Sequence, residues 1–321
     1  MKNILGIGNA LVDIMTLLEN DNHLQQIGLK KGSMELVDKD QVAQILTKSK
    51  LLKQTLTSGG SVANTIHGTS RLGIESGYIG KIGKDKFGTF FAEDLKKSKI
   101  YPHLIHSQTE TGKAIAFISQ DAERTFATYL GAAVEMTPND LDPQIFSTYD
   151  ILHIEGYLLF NHDLILKALE LAKKFNLLVS LDMASFNVVE ENRDFLREII
   201  KKHVNIIFAN EEEAKAYTNT EPEDAIHIFA EETNIAIVKM GKKGSIIKRD
   251  KDMYKIPAIN ANTIDTTGAG DLYAAGFLTG ILKNKSLQVC GNIGSFVAGK
   301  ITETIGAKLT NAQWQDIYSH F

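Results

Sequence analysis

From residue 150 onward the chain alternates short apolar runs with longer stretches in which apolar residues recur every three or four positions. The short runs at 151–154, 177–181, 206–209 and 235–240 predict strands buried on both faces. The longer stretches predict helices over 163–175, 193–202, 211–218 and 222–233, and three more close the chain at 269–283, 286–305 and 311–319. Runs at 244–249 and 253–256 predict an antiparallel pair. The first half reads less regularly. Strands are predicted at 4–8 and 75–81, and helices at 84–98, from Asp38 to about 54, and from the Ser58-Gly59-Gly60-Ser61 turn through 72. Runs at 12–18, 33–37, 111–119 and 125–130, the last two joined by a turn at 120–124, break the strand–helix rhythm and predict a small β-sheet lid. The expected fold class is α/β, a mostly parallel central sheet with helices on both faces. The chain is read as one domain over 1–321, its lid formed by about 12–37 and 100–130.

Composition narrows the partners. Apolar residues at 43% and charged residues at 23% are ordinary for a globular chain with a sizeable core. A net charge of −4 argues against nucleic acid or an anionic membrane as the main partner. The single cysteine, Cys290, falls in an apolar helical pattern and excludes a disulfide framework, which with the strand-like N-terminus leads to the expectation of a cytoplasmic protein.

The chemistry concentrates in Asp265-Thr266-Thr267-Gly268-Ala269-Gly270-Asp271, which runs into an apolar segment long enough for a buried helix. Gly268 and Gly270 flank Ala269 and let the backbone aim consecutive N–H groups at one point, with the positive end of a helix dipole behind them. Such a nest suits a phosphoryl oxygen or another anion. Asp271 in that nest is either an N-cap or a carboxylate placed to accept a proton.

Other constellations are weaker. Asn9-Ala10-Leu11-Val12-Asp13 sets a carboxylate just past the first strand, able to accept two hydroxyls of a vicinal diol or to cap a turn. Gly59-Gly60-Ser61 with Asn64 one turn later brings backbone and amide close to a small ligand, or is an ordinary helix start. Asn210 and Glu213 share a helix face, where they complement the dipole or orient metal-bound water. The turn containing Gly241 and Gly244 covers a nucleotide or is a plain hairpin, and Arg124 at a turn tip is a solvated charge unless the lid closes. Gly6-Ile7-Gly8 lacks a third glycine at the spacing of a dinucleotide fingerprint, and the near-P-loop at 294–301 ends in Ile301 where a hydroxyl is needed. His103 and His106 read as a solvated loop, and Gly276 with Gly280 as close helix packing.

Taken in order, Gly59-Gly60-Ser61, the 80–88 segment Gly-Lys-Ile-Gly-Lys-Asp-Lys-Phe-Gly, Asn210 to Glu213 and the 265–271 stretch resemble the ribokinase-like (PfkB) carbohydrate and nucleoside kinases from end to end. Asn9 to Asp13, Lys31-Gly32-Ser33-Met34, Arg124, Tyr129-Leu130-Gly131-Ala132 and Glu155-Gly156-Tyr157 are similar to the bacterial adenosine kinase branch. The resemblance implies an ATP-dependent transfer to a primary hydroxyl of adenosine, with Mg²⁺. It leaves open a sugar acceptor such as ribose or fructose, a silent ligand-binding homologue, a K⁺ requirement, and a monomer or a homodimer through the lid. It implies Asp271 as base and Gly268, Ala269 and Gly270 as the anion hole, with Arg124 on the γ-phosphate. Asp13, Asn9, Gly59, Gly60, Ser61 and Asn64 would hold the ribose, and Leu36, Phe126, Tyr157 and Phe186 the base. Asn210, Glu213, Gly241, Gly244, Asp265 and Thr266 would serve the nucleotide, with Glu213 reaching the metal through water.

Overall fold

The computed structural model describes residues 3–121 and 123–320, so residue 122 in the predicted turn at 120–124 lies outside it. Among the described residues, fourteen strands form two sheets. The larger contains β1 (Asn3–Ile7), β5 (Glu75–Gly83), β6 (Ile100–Ser107), β9 (Ile151–Glu155), β10 (Leu178–Asp182), β11 (Ile206–Asn210), β12 (Ile235–Lys239), β13 (Ser245–Arg249) and β14 (Asp252–Ile256). The smaller contains β2 (Leu11–Leu17), β3 (Met34–Leu36), β4 (Gln54–Gly59), β7 (Gly112–Ile118) and β8 (Arg124–Tyr129).

The larger sheet runs β14-β13-β12-β11-β10-β9-β1-β5-β6, parallel from β12 to β6, with β13 and β14 added antiparallel at one edge. Its strands are apolar because both faces are covered. Along β11, Ile207 and Ala209 join a core with helices His162–Lys174 and Arg193–His203, while Ile206 and Phe208 join the opposite core with helices Ser61–Arg71 and Ala269–Leu282. The mostly parallel sheet with helices on both faces is therefore as expected.

The smaller sheet runs β3-β8-β7-β2-β4. Here apolar and polar positions alternate: Val12, Ile14 and Thr16 are buried while Asp13 and Met15 are only partly covered. Two expectations need correction. The helix opened by Asp38 spans Lys39–Ser49, and residues 54–59 are strand β4, paired antiparallel with β2. Lys53 and Gln54 carry no helix stop signal, so only the unpaired edge of β2 reveals the change. Residues 100–107, grouped with the lid segments, form the edge strand of the larger sheet beside β5, and His103 and His106 lie on that strand rather than in a loop.

Helix Ala269–Leu282 is buried almost all round. A Cβ at Gly276 would stand 2.8 Å from Gly294 Cα, and one at Gly280 would stand 2.9 Å from Cys290 Cα, so the two glycines let this helix seat against helix Leu287–Ile301. No helix among the described residues is long and apolar enough to cross a membrane.

Candidate active site

Five neighbouring parallel strands deliver polar side chains to one edge of the larger sheet. Asn9 follows β1, and Glu155, Asp182, Asn210 and Lys239 end β9, β10, β11 and β12. This is the carboxyl edge where open α/β sheets bind ligands. Helix Ala269–Leu282 brings its N-terminus to the same edge, starting from Gly268 at a φ of 75°. Only glycine takes that turn without strain, and its bare Cα also fits against Ala307.

Asp271 is held from both sides. Ser61 Oγ donates to its Oδ1 at 2.9 Å and Asn64 Nδ2 to its Oδ2 at 3.0 Å, while Thr65 Oγ1 donates to its carbonyl at 3.1 Å. Burial pushes the Asp271 carboxyl up to about 6, against the pull of the Asn64 amide, with the Asp182 charge adding to the rise. Lys239 Nζ pairs with Asp182 Oδ2 at 2.9 Å and lies where a Gly270 side chain would be, 3.1 Å from its Cβ position. An ammonium thus stands directly behind the glycine nest. Of the nest amides, Ala269 N–H already donates to the Thr266 carbonyl at 3.1 Å.

A second carboxylate underlies the site. Glu155 accepts from Asn9 N and Asn9 Nδ2 at 3.2 and 2.9 Å and from Val62 N at 3.2 Å, tying the end of β1 to the start of helix Ser61–Arg71. Burial pushes Glu155 up to about 7 despite these donors. Asn9 Oδ1 and Asn64 Oδ1 are buried without a partner among the described residues. Buried amide oxygens are normally hydrogen-bonded, so these two are open to a donor from water or a ligand.

Asp13 lies within β2 rather than just past the first strand, and its carboxylate fits only because Gly59 has no side chain: a Cβ there would fall 2.1 Å from Asp13 Oδ1. Gly60, at a φ of 103°, approaches the Asn9 carbonyl in the same manner. Burial pushes Asp13 up to about 7. Arg124 is not a solvated turn charge. It opens β8 and reaches across to the 265–271 loop, where its guanidinium donates to Asp265 and to Thr267.

A cavity of about 1380 Å³ extends from Asp271 and Ala269-Gly270 past Asn210 and Glu213 to Gly241 and Gly244. Thr266 and Tyr157 also line it. Leu36, Phe126 and Phe186 do not: Leu36 is 73% exposed at the edge strand β3, so the four apolar candidates are not brought into one pocket. Asn210 and Glu213 form a reciprocal cap. Asn210 Oδ1 accepts from Glu213 N while both Glu213 oxygens accept from Asn210. Gly241 and Gly244 flank a short turn between β12 and β13. Nothing in the residue pattern singled out Asp182, Lys239 or the 258–264 wall of the cavity. For Lys239 the available signal was its place at the end of an apolar run one strand from Asn210.

These features have counterparts in known proteins. The family described as "pfkB family carbohydrate kinase" matches residues 32–314. The chain belongs to that family. A nucleoside kinase of Methanocaldococcus jannaschii is 34% identical over 271 residues, covering 81% of this chain and 83% of that protein. The structure of an adenosine kinase from Sinorhizobium meliloti superposes with a TM-score of 0.88 at 30% identity, covering 100% of this chain and 99% of the other. A probable sugar kinase from Rhizobium etli superposes with a TM-score of 0.89 at 30% identity, covering 99% and 98%. The chain is thus a kinase of the sugar and nucleoside class, on the ribokinase-like fold expected from its motifs.

Proposed function

We propose that this kinase moves the γ-phosphoryl group of ATP to the 5′-hydroxyl of a nucleoside, adenosine foremost, giving AMP. The observation that carries the transfer chemistry is Asp271, clamped by Ser61 and Asn64 at the mouth of a buried helix and opening onto a cavity large enough for a nucleotide. The choice of adenosine is supported by the end-to-end likeness to the Sinorhizobium meliloti adenosine kinase.

In this reading Asp271 takes the proton of the primary hydroxyl, contributing about 10²- to 10⁴-fold. The Gly268–Gly270 turn and the ammonium of Lys239 stabilise charge as the phosphoryl group moves between oxygens. Asp13, Asn9, Asn64 and the Gly59-Gly60-Ser61 backbone hold the ribose hydroxyls, and Arg124 draws the small sheet onto the phosphates as a lid. Closure excludes water, so ATP is not hydrolysed without an acceptor. Tyr157 is the apolar candidate that lines the cavity, with Leu36 and Phe126 contributing to a base pocket only if the small sheet moves, whereas Phe186 opens the helix Phe186–Glu191 beside the larger sheet.

A divalent ion such as Mg²⁺, when bound, neutralises phosphate oxygens. The residues fit that use. No group of three or more His, Cys, Asp or Glu among the described residues could cage a metal, whereas Asn210 and Glu213 on the cavity wall can hold its water shell.

A sugar acceptor is the second reading, supported by the equally extensive likeness to the Rhizobium etli probable sugar kinase. Release of ADP from ATP and Mg²⁺ in the presence of adenosine, inosine, ribose or fructose separates the two. Highest kcat/KM with adenosine supports the first reading, and turnover confined to ribose or fructose overturns it in favour of the second.

A further inference from the structure

Two opposite charges, Asp13 and Lys308, lie within electrostatic reach of Asp271. Lys308 Nζ is buried and has no hydrogen-bond partner among the described residues. Asp13 lies close enough that each group feels the other's charge. The chain brings the two together from different elements. Gly306 packs against Met15 on β2, and Ala307 packs against Gly268 at the start of the catalytic helix. Lys308 follows directly, and Asp94 closes the surroundings through its hydrogen bond from Ser58, next to Gly59. Buried charges are normally paired, and a lysine left without a partner is costly to the apoprotein. Its cost is offset only where a ligand atom completes the site.

We infer that Lys308 is a specificity-determining residue of the acceptor pocket, donating to the same sugar hydroxyl oxygen whose proton is donated to Asp13. The inference rests on the proposed transfer to a sugar-bearing acceptor and adds to it how that acceptor is read. One hydroxyl set between a carboxylate and an ammonium satisfies both charges at once. The acceptor is a neutral polyol moiety and not a sugar acid, because Asp13, Asp94 and Asp271 surround the ammonium and would repel a further anion. Burial draws the Lys308 ammonium down to about 8 while these three carboxylates hold it up, in keeping with a cation that stays charged at neutral pH. Sites built to hydrogen-bond a hydroxyl discriminate strongly against the analogue that lacks it.

The test compares wild type, Lys308→Met and Lys308→Arg on adenosine, 2′-deoxyadenosine and 3′-deoxyadenosine, or on ribose and its deoxy counterparts if a sugar is the better acceptor. Lys308→Met is expected to lower kcat/KM for the full acceptor by about 100-fold and for one deoxy analogue by less than about 3-fold, so that discrimination collapses. Lys308→Arg should recover most of the lost discrimination. The melting temperature of unliganded Lys308→Met should equal or exceed that of wild type, because a buried unpaired charge has been removed. Equal losses on full and deoxy acceptors, a lowered melting temperature, or a preference of wild type for an acidic sugar would each overturn the assignment while leaving the kinase reading intact. A wild-type protein that phosphorylates neither nucleoside nor sugar sinks the proposed function, and this inference with it.

Discussion

The guanidinium of Arg124 is anchored to the carboxylate of Asp265, linking the first residue of β8 in the small sheet to the loop that carries Asp271. Asp265 is fully engaged. Its Oδ1 accepts from Thr267 N at 3.0 Å, and its Oδ2 accepts from Gly306 N at 2.6 Å as well as from Arg124. One carboxylate therefore shapes the 265–268 turn, fixes the segment leading to Lys308 and holds the small sheet down. Removing the charge while keeping the shape, as in Asp265→Asn, should lower unfolding free energy by about 3 kcal/mol, since Arg124 would remain largely buried and unpaired. Urea midpoints measured for both proteins check this, and an unchanged midpoint would show that the pair contributes nothing net.

If Arg124 serves the transfer as proposed, it must exchange Asp265 for a phosphate oxygen. Arg124→Ala should lower kcat by about 100-fold or more while raising KM for the acceptor only a few-fold, the pattern of an interaction made mainly in the transition state. A rise in acceptor KM with kcat untouched would remove Arg124 from the transfer step.

If Asp271 is the base, as proposed, its ionisation sets the pH dependence. A base works only when ionised, and this carboxyl sits at about 6. The kcat/KM profile should therefore rise with pH through about 6 and level off above it. Asn64→Leu removes an amide that favours the ionised form, so the rising limb should shift to higher pH. Asp271→Asn should keep the fold and ATP binding but lose 10²- to 10⁴-fold in turnover, roughly the worth of a general base. An Asn64→Leu profile superimposable on wild type would mean that another group sets the limb.

The division between what could be read from sequence and what could not has a physical basis. The catalytic loop and the βαβ rhythm were legible because they are local. Gly268 declares its turn, and Ile206-Ile207-Phe208-Ala209 declares a strand covered on both faces. Strand β4 was not, because Gln54 to Gly59 becomes a strand only through pairing with β2, more than thirty-five residues earlier in the chain. Arg124 read from its local sequence as a solvated charge unless the lid closed, since its partner Asp265 lies 141 positions away. Glu155, Lys239 and Lys308 likewise take their meaning from neighbours that the fold supplies.

Four acids in and around the site are held above the ordinary carboxylate range, chiefly by burial: Asp13, Glu155 and Glu213 to about 7 and Asp271 to about 6. A carboxyl whose pKa is raised on folding binds more protons in the folded than in the unfolded chain between the two values. Its contribution to stability is thus present at low pH and lost as pH rises through the folded pKa. The unliganded kinase should lose melting temperature between about pH 4 and pH 7, the window bounded by the ordinary and the raised values. A calorimetric series across that range in the absence of nucleotide checks the sign. A melting temperature that climbs over the same interval would mean that these four acids are ionised at little cost.

The Gly276–Gly294 crossing sets two opposed effects against each other. Alanine is the better helix former by about 1 kcal/mol, so propensity alone predicts that Gly276→Ala stabilises the protein. The new Cβ, however, would lie 2.8 Å from both Gly294 Cα and Ile293 O and 2.9 Å from Gly294 N. All three are backbone atoms of a buried helix, and no flexible side chain can move aside for them. Overpacking of this kind costs about 1–3 kcal/mol and should exceed the gain in propensity. The variant is expected to be less stable by up to about 2 kcal/mol, and because helix Ala269–Leu282 carries Asp271 at its first turn, its displacement should also reduce kcat. Gly73→Ala provides the control. Nothing stands within 4 Å of its Cβ position, so it tests left-handed backbone strain without overpacking. If Gly276→Ala proves as stable as wild type, the two helices have room to separate and the glycine contact does not set their distance.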